Sequence, residues 1–176
     1  MKGSEYGLLL NKAGKNRYFN ADAHEKLIRY VTRTNGAPRD DLVAWGGVGV
    51  AEFMGVEGII GQFSEIQKLH TRRGGFGRHA DHEVYSFSQR AESRIRENGM
   101  DVDRIARKMA YDFWERDHCQ VVYGVHKPDG NDSRLHIHFA INPVDYTTGN
   151  KRRENTRQTR ERQERFGEIV RKASAR

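Results

Sequence analysis

The chain has 176 residues, a length that suits one domain around one hydrophobic core. Hydrophobic residues make up 36% and charged residues 31%, which excludes a disordered chain and a membrane-embedded one alike. A net charge of +7 and a pI near 9.7 favour a polyanionic partner, of which nucleic acid is the commonest.

Cys119 stands alone, so the chain has no intrachain disulfide and no multi-cysteine zinc site. A lone cysteine at the start of an apolar run reads as a small buried hydrophobe in a reducing compartment. No apolar run is long enough to cross a bilayer, and Met1 to Asn20 lack the apolar core of a signal peptide. A cytoplasmic protein without membrane contact is expected.

Tyr6 to Leu10 reads as a short strand, followed by a polar, turn-rich stretch from Asn11 to Asn20. A helix begins near Asp22, where Asp22 and Glu25 have the spacing of a capping box. His24, Leu27, Ile28 and Val31 recur at helical spacing and face the core, with Tyr30 at the flank of that stripe. Asn35-Gly36 and Pro38 break the chain.

Gly46 to Gly58 reads as a glycine-rich segment leading into a helix that carries Ile59, Ile60, Phe63 and Ile66. Arg72 to Arg78 forms a basic, glycine-rich loop, and Glu83 to Ser88 a strand. A helix from Asp101 has Val102, Ile105, Ala106, Met109 and Phe113 as its buried stripe. Two strands follow, Gln120 to His126 and Leu135 to Asn142, joined by a loop with Pro128 and Gly130. The last predicted helix runs from about Thr156 to Lys172. Its charge reads equally as a solvated, internally ion-paired face or as an arm that faces DNA. Residues 1–150 are therefore expected to form the catalytic domain, and 151–176 a basic helical extension.

The segment from His126 to Asn142 carries the chemistry. Strand side chains alternate between faces, so Leu135, Ile137, Phe139 and Ile141 share one face, and His136, His138, Ala140 and Asn142 the other. In the preceding strand Val121, Tyr123 and Val125 face the core, while Val122, Gly124 and His126 face the other way. An antiparallel hairpin then sets His126 opposite His136, and three imidazoles converge. Three neutral histidines suit a divalent ion and leave coordination positions open for a phosphate oxygen. Gly124 and Ala140 are expected to leave room for substrate beside it.

His126 and Leu135 to Asn142, followed by a Thr-Gly turn and basic residues, resemble the third motif of plasmid mobilisation relaxases. These are the MobA/MobL-type (P-type) members of the histidine-hydrophobic-histidine endonucleases. Leu27 to Arg33 resembles their first motif, whose tyrosine is the nucleophile, and His82 to Ser88 their second, whose serine holds DNA near the nick.

The resemblance implies an α+β fold with a central five-stranded antiparallel sheet flanked by helices, the metal site on one face and helices on the other. It implies that Tyr30 attacks a phosphodiester of single-stranded DNA at an origin of transfer. The product is a 5′-phosphotyrosyl link, with Ser86 in the catalytic set and Mg²⁺ or Mn²⁺ on His126, His136 and His138. Accessory relaxosome proteins are the implied partners. Many members have an Asp two residues after the first histidine of motif three; here that place is Pro128. Asp129, Asp132 and Glu83 are the acids that could orient a histidine instead, and His82 is a further site residue or a neighbour.

Among the seven tyrosines, Tyr18 is the main rival nucleophile, since a neighbouring polar segment could carry it over the metal. Arg29, Arg33, Arg72, Arg73 and Arg78 are expected at phosphates, and Phe76 on a base. Three other readings compete. A histidine-triad hydrolase needs a histidine where Ala140 stands, and a replication initiator needs a tyrosine after the histidine motif, but none follows Tyr146. A DNA-binding module of the same fold that does not cut is the third.

Overall fold

The structure is a computed structural model and describes residues 5–12, 18–36, 40–70, 77–128 and 134–174. The elements in chain order are β1 (Gly7–Asn11), α1 (Ala23–Val31), β2 (Leu42–Val48), α2 (Gly55–Leu69), β3 (Asp81–Phe87), α3 (Gln89–Glu97), α4 (Val102–Asp117), β4 (Val121–His126), β5 (His136–Ile141) and α5 (Thr156–Ser174). The strands form one sheet in the order β1-β3-β5-β4-β2, with every neighbouring pair antiparallel. This is the α+β architecture that the resemblance implies.

The alternation of β4 and β5 divides the core in two. Val121, Tyr123, Val125, Ile137, Phe139 and Ile141 turn to one face, where they meet Ile105, Met109 and Phe113 of α4 and Phe166 and Val170 of α5. Val122 and Ala140 turn to the other face and pack against Leu27, Ile28 and Val31 of α1 and Ile59 and Phe63 of α2. The histidine face therefore carries helices as well. Half of it is roofed by α1 and α2, because their apolar stripes need a partner and the small residues of β4 and β5 supply it.

Several local expectations change. Asp22 precedes α1 but makes no capping bond; its carboxylate pairs with Lys26 at 2.7 Å. The start of the glycine-rich segment is strand β2, whose Gly46 has no space for a side chain: a Cβ would lie 2.5 Å from the Tyr123 hydroxyl. In α2, Gln67 joins Ile59, Ile60 and Phe63 on the buried side. Helix α3 went unread; Ser88 caps it by accepting from the Ala91 N–H at 3.1 Å, and Ala91 and Ile95 bury its short stripe.

The C-terminal helix is a structural part of this core rather than a solvated arm. Phe166 and Val170 are fully buried. Arg162 reaches Asp112 and Asp117 at 2.8 Å each and lies over the Phe113 ring at 4.2 Å. Gln163 donates to the Gly7 carbonyl at 2.7 Å and accepts from the Leu9 N–H, so one side-chain amide serves the outer edge of β1 as a neighbouring strand would. On the opposite edge, Glu52 accepts from the Gly47 N–H and Arg107 donates to the Gly47 carbonyl at 3.2 Å.

Candidate functional site

The register of β4 against β5 pairs His126 directly with His136 and Gly124 with His138. The three imidazoles thus stand on one face at one end of the hairpin, and their candidate ligand nitrogens lie within 4.8 Å of one another. All three rings are buried. Burial, followed by the neighbouring imidazoles, pushes His138 far below the ordinary histidine range, and burial takes His126 down to about 4. Both are therefore neutral at physiological pH, the form that ligates a metal.

Each ring is held differently. His136 Nδ1 donates to the Arg134 carbonyl at 2.7 Å, which puts its lone pair on Nε2. His138 Nδ1 sits 2.9 Å from His82 Nε2, and His82 Nδ1 lies 2.8 Å from the Tyr18 hydroxyl. The tautomer with His138 Nδ1 donating leaves the lone pair on His138 Nε2, a buried atom with no hydrogen-bond partner among the described residues. His126 is engaged at both nitrogens: Nε2 donates to the Val31 carbonyl at 2.9 Å, and Nδ1 accepts from Arg33 Nη2 at 3.0 Å. The donor set fits a divalent ion. Three nitrogens about 2.1 Å from one ion stand roughly 3.0–3.6 Å from one another, so rings whose nitrogens lie as far as 4.8 Å apart must close in by about 1 Å or more, and His126 must release one of its two partners.

The nucleophile expected from the sequence comes to the same place. Tyr30 is half-buried at the end of α1, and its ring centroid lies 5.2 Å from that of His138 and 6.3 Å from that of His126. Helix α1 can approach this closely because β4 has a glycine beneath it. A Cβ on Gly124 would collide with the Val31 carbonyl, so the room expected for substrate is filled by the end of α1. Beside Tyr30 opens a cleft of about 370 Å³ lined by Tyr18, Leu27, Tyr30, His82, Lys12 and Asn20 among others.

Ser86 stands opposite His136 in the β3–β5 pairing, and so does His82 opposite Ala140; both belong to the histidine face. Glu83 alternates to the opposite face, where it meets Arg152 at 2.7 Å, so the strand period itself keeps it from orienting a histidine. Burial pushes the Glu83 carboxyl up, against the pull of Arg152. Asp129, Asp132, Arg72, Arg73 and Phe76 lie outside the described residues. The other basic residues expected at DNA already hold carboxylates. Arg29 pairs with Glu57 at 2.6 Å and Glu25 at 3.0 Å, and Arg78 pairs with Asp81. Arg33 pairs with Asp41 at 2.6 Å in a buried bridge whose side chains are 4% and 9% exposed.

Two features of the site escaped sequence reasoning. Asp41 reaches the triad through Arg33; burial works against its charge, yet Arg33 holds its carboxyl below the usual range. Its only sequence signal was position, one residue before the strand whose Leu42 pairs with His126. Tyr18 entered as a rival nucleophile, whereas here its hydroxyl is the outer support of His82.

No curated protein matches this chain. Among solved structures, the conjugative relaxase TrwC, in complex with oriT DNA and in its metal-bound form, is similar in fold. Its TM-score is 0.50 at 14% identity, over 96% of this chain and 68% of that one. The model of the relaxase family, described as MobA/VirD2-like, nuclease domain, matches residues 30–174. That span begins on Tyr30 and takes in all three histidines, and with it the chain belongs to the relaxases, as a MobA/VirD2-like nuclease domain.

Proposed function

We propose that this domain nicks and rejoins one strand of DNA at an origin of transfer, with Tyr30 as nucleophile and His126, His136 and His138 as ligands of Mg²⁺ or Mn²⁺. The observation that carries this reading is the contact of the Tyr30 ring with the imidazole face of the triad, 5.2 Å from His138. Such an ion, once bound, would polarise the scissile phosphoryl group and stabilise charge developing on it.

The chain's own residues supply the rest. Tyr30 offers a hydroxyl that is a weak nucleophile unaided, and covalent attack conserves the energy of the phosphodiester, so the strand can be resealed. His82, backed by Tyr18, fixes the tautomer of His138. Ser86 lies on the same face, where it can hold the strand beside the nick. The substrate strand must be single-stranded or extruded, because duplex geometry keeps a phosphate from a recessed site. Accessory relaxosome proteins would present that strand, and the setting is the cytoplasm. No helix among the described residues is long and apolar enough to cross a membrane.

The test is covalent capture. The protein is incubated with Mn²⁺ and 3′-labelled single-stranded oligonucleotides of randomised sequence, then run on a denaturing gel. A labelled adduct is expected with the native chain and none with Tyr30→Phe. Mass spectrometry of the adduct peptide decides between Tyr30 and Tyr18. An undiminished adduct on Tyr30→Phe would refute the assignment. His136→Ala should abolish Mn²⁺ binding in calorimetry, and unchanged affinity would count against the triad.

A further inference from the structure

Arg33 occupies an expensive position. Its backbone is in the left-handed region at φ 56°, which a residue with a side chain adopts at a cost. Its guanidinium is buried, and a buried ion pair such as the one it forms with Asp41 adds little net stability. Strain and burial of this kind collect where position matters more than stability. Here the position is the nucleophile. The Arg33 guanidinium carbon stands 4.8 Å from the Tyr30 ring centroid, Nη1 is 3.3 Å from the Tyr30 carbonyl, and Nη2 is 3.0 Å from His126. Two bonds to Asp41, at 2.6 and 3.0 Å, lock the guanidinium in that pose.

We propose that Arg33, fixed by Asp41, is a catalytic residue of strand transfer rather than a contact to distant phosphates. The inference rests on the nuclease reading above. In the reaction the Tyr30 Oη–P bond forms while the P–O3′ bond breaks. The phenol gives up one proton and the 3′ oxygen takes one up, so the products are a phosphotyrosyl diester and a 3′ hydroxyl with the charge of the diester unchanged. While the phenolic proton is gone and the new bond is incomplete, negative charge spreads over the Tyr30 ring. A cation on the face of that ring is attracted weakly to the neutral phenol and strongly to the phenolate. The interaction is therefore larger in the transition state than in the resting enzyme, which is the condition for accelerating the step. Resealing benefits equally, since the phenolate is then the leaving group. Because the guanidinium is already oriented, little reorganisation accompanies the reaction.

The experiment is single-turnover adduct formation at saturating Mn²⁺, on an oligonucleotide that the native chain cleaves. Arg33→Ala should slow the adduct by roughly 100-fold, the loss typical of removing one preorganised charge-stabilising group. Free guanidinium ion at sub-denaturing concentration should recover most of that loss, while an equal concentration of sodium chloride should not. Arg33→Gln keeps side-chain length and a donor, and should show the same loss with a native near-ultraviolet circular dichroism spectrum; it carries the test should the alanine variant not fold.

Arg33 variants that react at the native rate would overturn the proposal while leaving the nuclease intact. So would a folded alanine variant that guanidinium does not rescue, or a loss seen only as weaker Mn²⁺ affinity in calorimetry, for then Arg33 merely positions His126. A native chain that forms no adduct with any oligonucleotide removes the nuclease reading, and this inference with it.

Discussion

The imidazoles of this site differ less in their own chemistry than in what holds them. His138 is held by a second imidazole, that of His82, rather than by a carboxylate among the described residues. Such a partner fixes the tautomer of the ring it holds. Removing such a support typically weakens metal affinity by about 10- to 100-fold, so His82→Ala should bind Mn²⁺ less tightly by that factor in calorimetry, and Tyr18→Phe by less. An unchanged affinity for His82→Ala would mean that the contact is incidental. The same rings make stability depend on pH. An unfolded imidazole titrates near 6.5, whereas folded His126 titrates at about 4. Between these values the unfolded chain binds a proton that the folded chain refuses. Stability is therefore complete above the unfolded value and falls as the pH drops toward the folded one. His138 and His24 are displaced in the same direction, each chiefly by burial. For His126 alone the loss is on the order of 2 kcal/mol after allowing for solvent screening. Urea unfolding of the metal-free protein at pH 7.5, 6 and 5 should show midpoints falling in that order; a flat profile would contradict neutral, buried rings.

At the level of elements, the site depends on how closely α1 descends on β4. Gly124 sets that distance, since a methyl group there meets the backbone carbonyl of Val31, which also accepts from His126. Backbone cannot yield as a side chain can, so Gly124→Ala should destabilise the protein by about 2 kcal/mol or more. It should also change Mn²⁺ binding, because the Val31 carbonyl that orients His126 is displaced; a shift in urea midpoint without any change in affinity would show that the helix and the triad are uncoupled. The period-two pattern of β4 and β5 made this half of the site legible in the sequence, because the large apolar side chains keep to one face, the imidazoles to the other, and His126 falls opposite His136. Strand β2 was illegible for a definite reason: Gly46 and Gly47 look like loop residues, and it is the packed side chains of Tyr123, Glu52, Arg107 and Val50 that leave no space for a larger residue. Helix α3 was hidden by its brevity, with two buried apolar positions in nine residues. The Arg33–Asp41 bridge was hidden by its partner. Sequence showed a basic residue after the tyrosine, and net charge suggested DNA, whereas the acid that claims it is eight residues further on.

Across the whole molecule, the decisive question is whether residues 151–176 are an appendage, as their composition suggested, or part of what holds the sheet in register. Buried arginines mislead composition-based reading, because Arg152 and Arg162 count as surface charge until their partners are known. Arg152 lies between Glu83, Asp117 and Glu154, at 2.7, 2.6 and 2.7 Å, and so ties β3, the end of α4 and the approach to α5 to one point. Removing one side of such a buried network leaves the other charges unpaired and typically costs about 3–5 kcal/mol. Phe166 and Val170 add apolar area to the core over β5, and truncating an aromatic of this kind costs a further 3–5 kcal/mol or so. Gln163 covers the edge of β1, which would otherwise present open donors and acceptors to other chains. These losses together match the whole stability of a typical domain, about 5–15 kcal/mol. A chain ending at residue 150 should therefore lack a cooperative unfolding transition by circular dichroism and should aggregate through its exposed β1 edge, although every histidine of the site is still present. If that fragment instead melts cooperatively and binds Mn²⁺ with the affinity of the full chain, α5 is an extension after all, free to move against DNA.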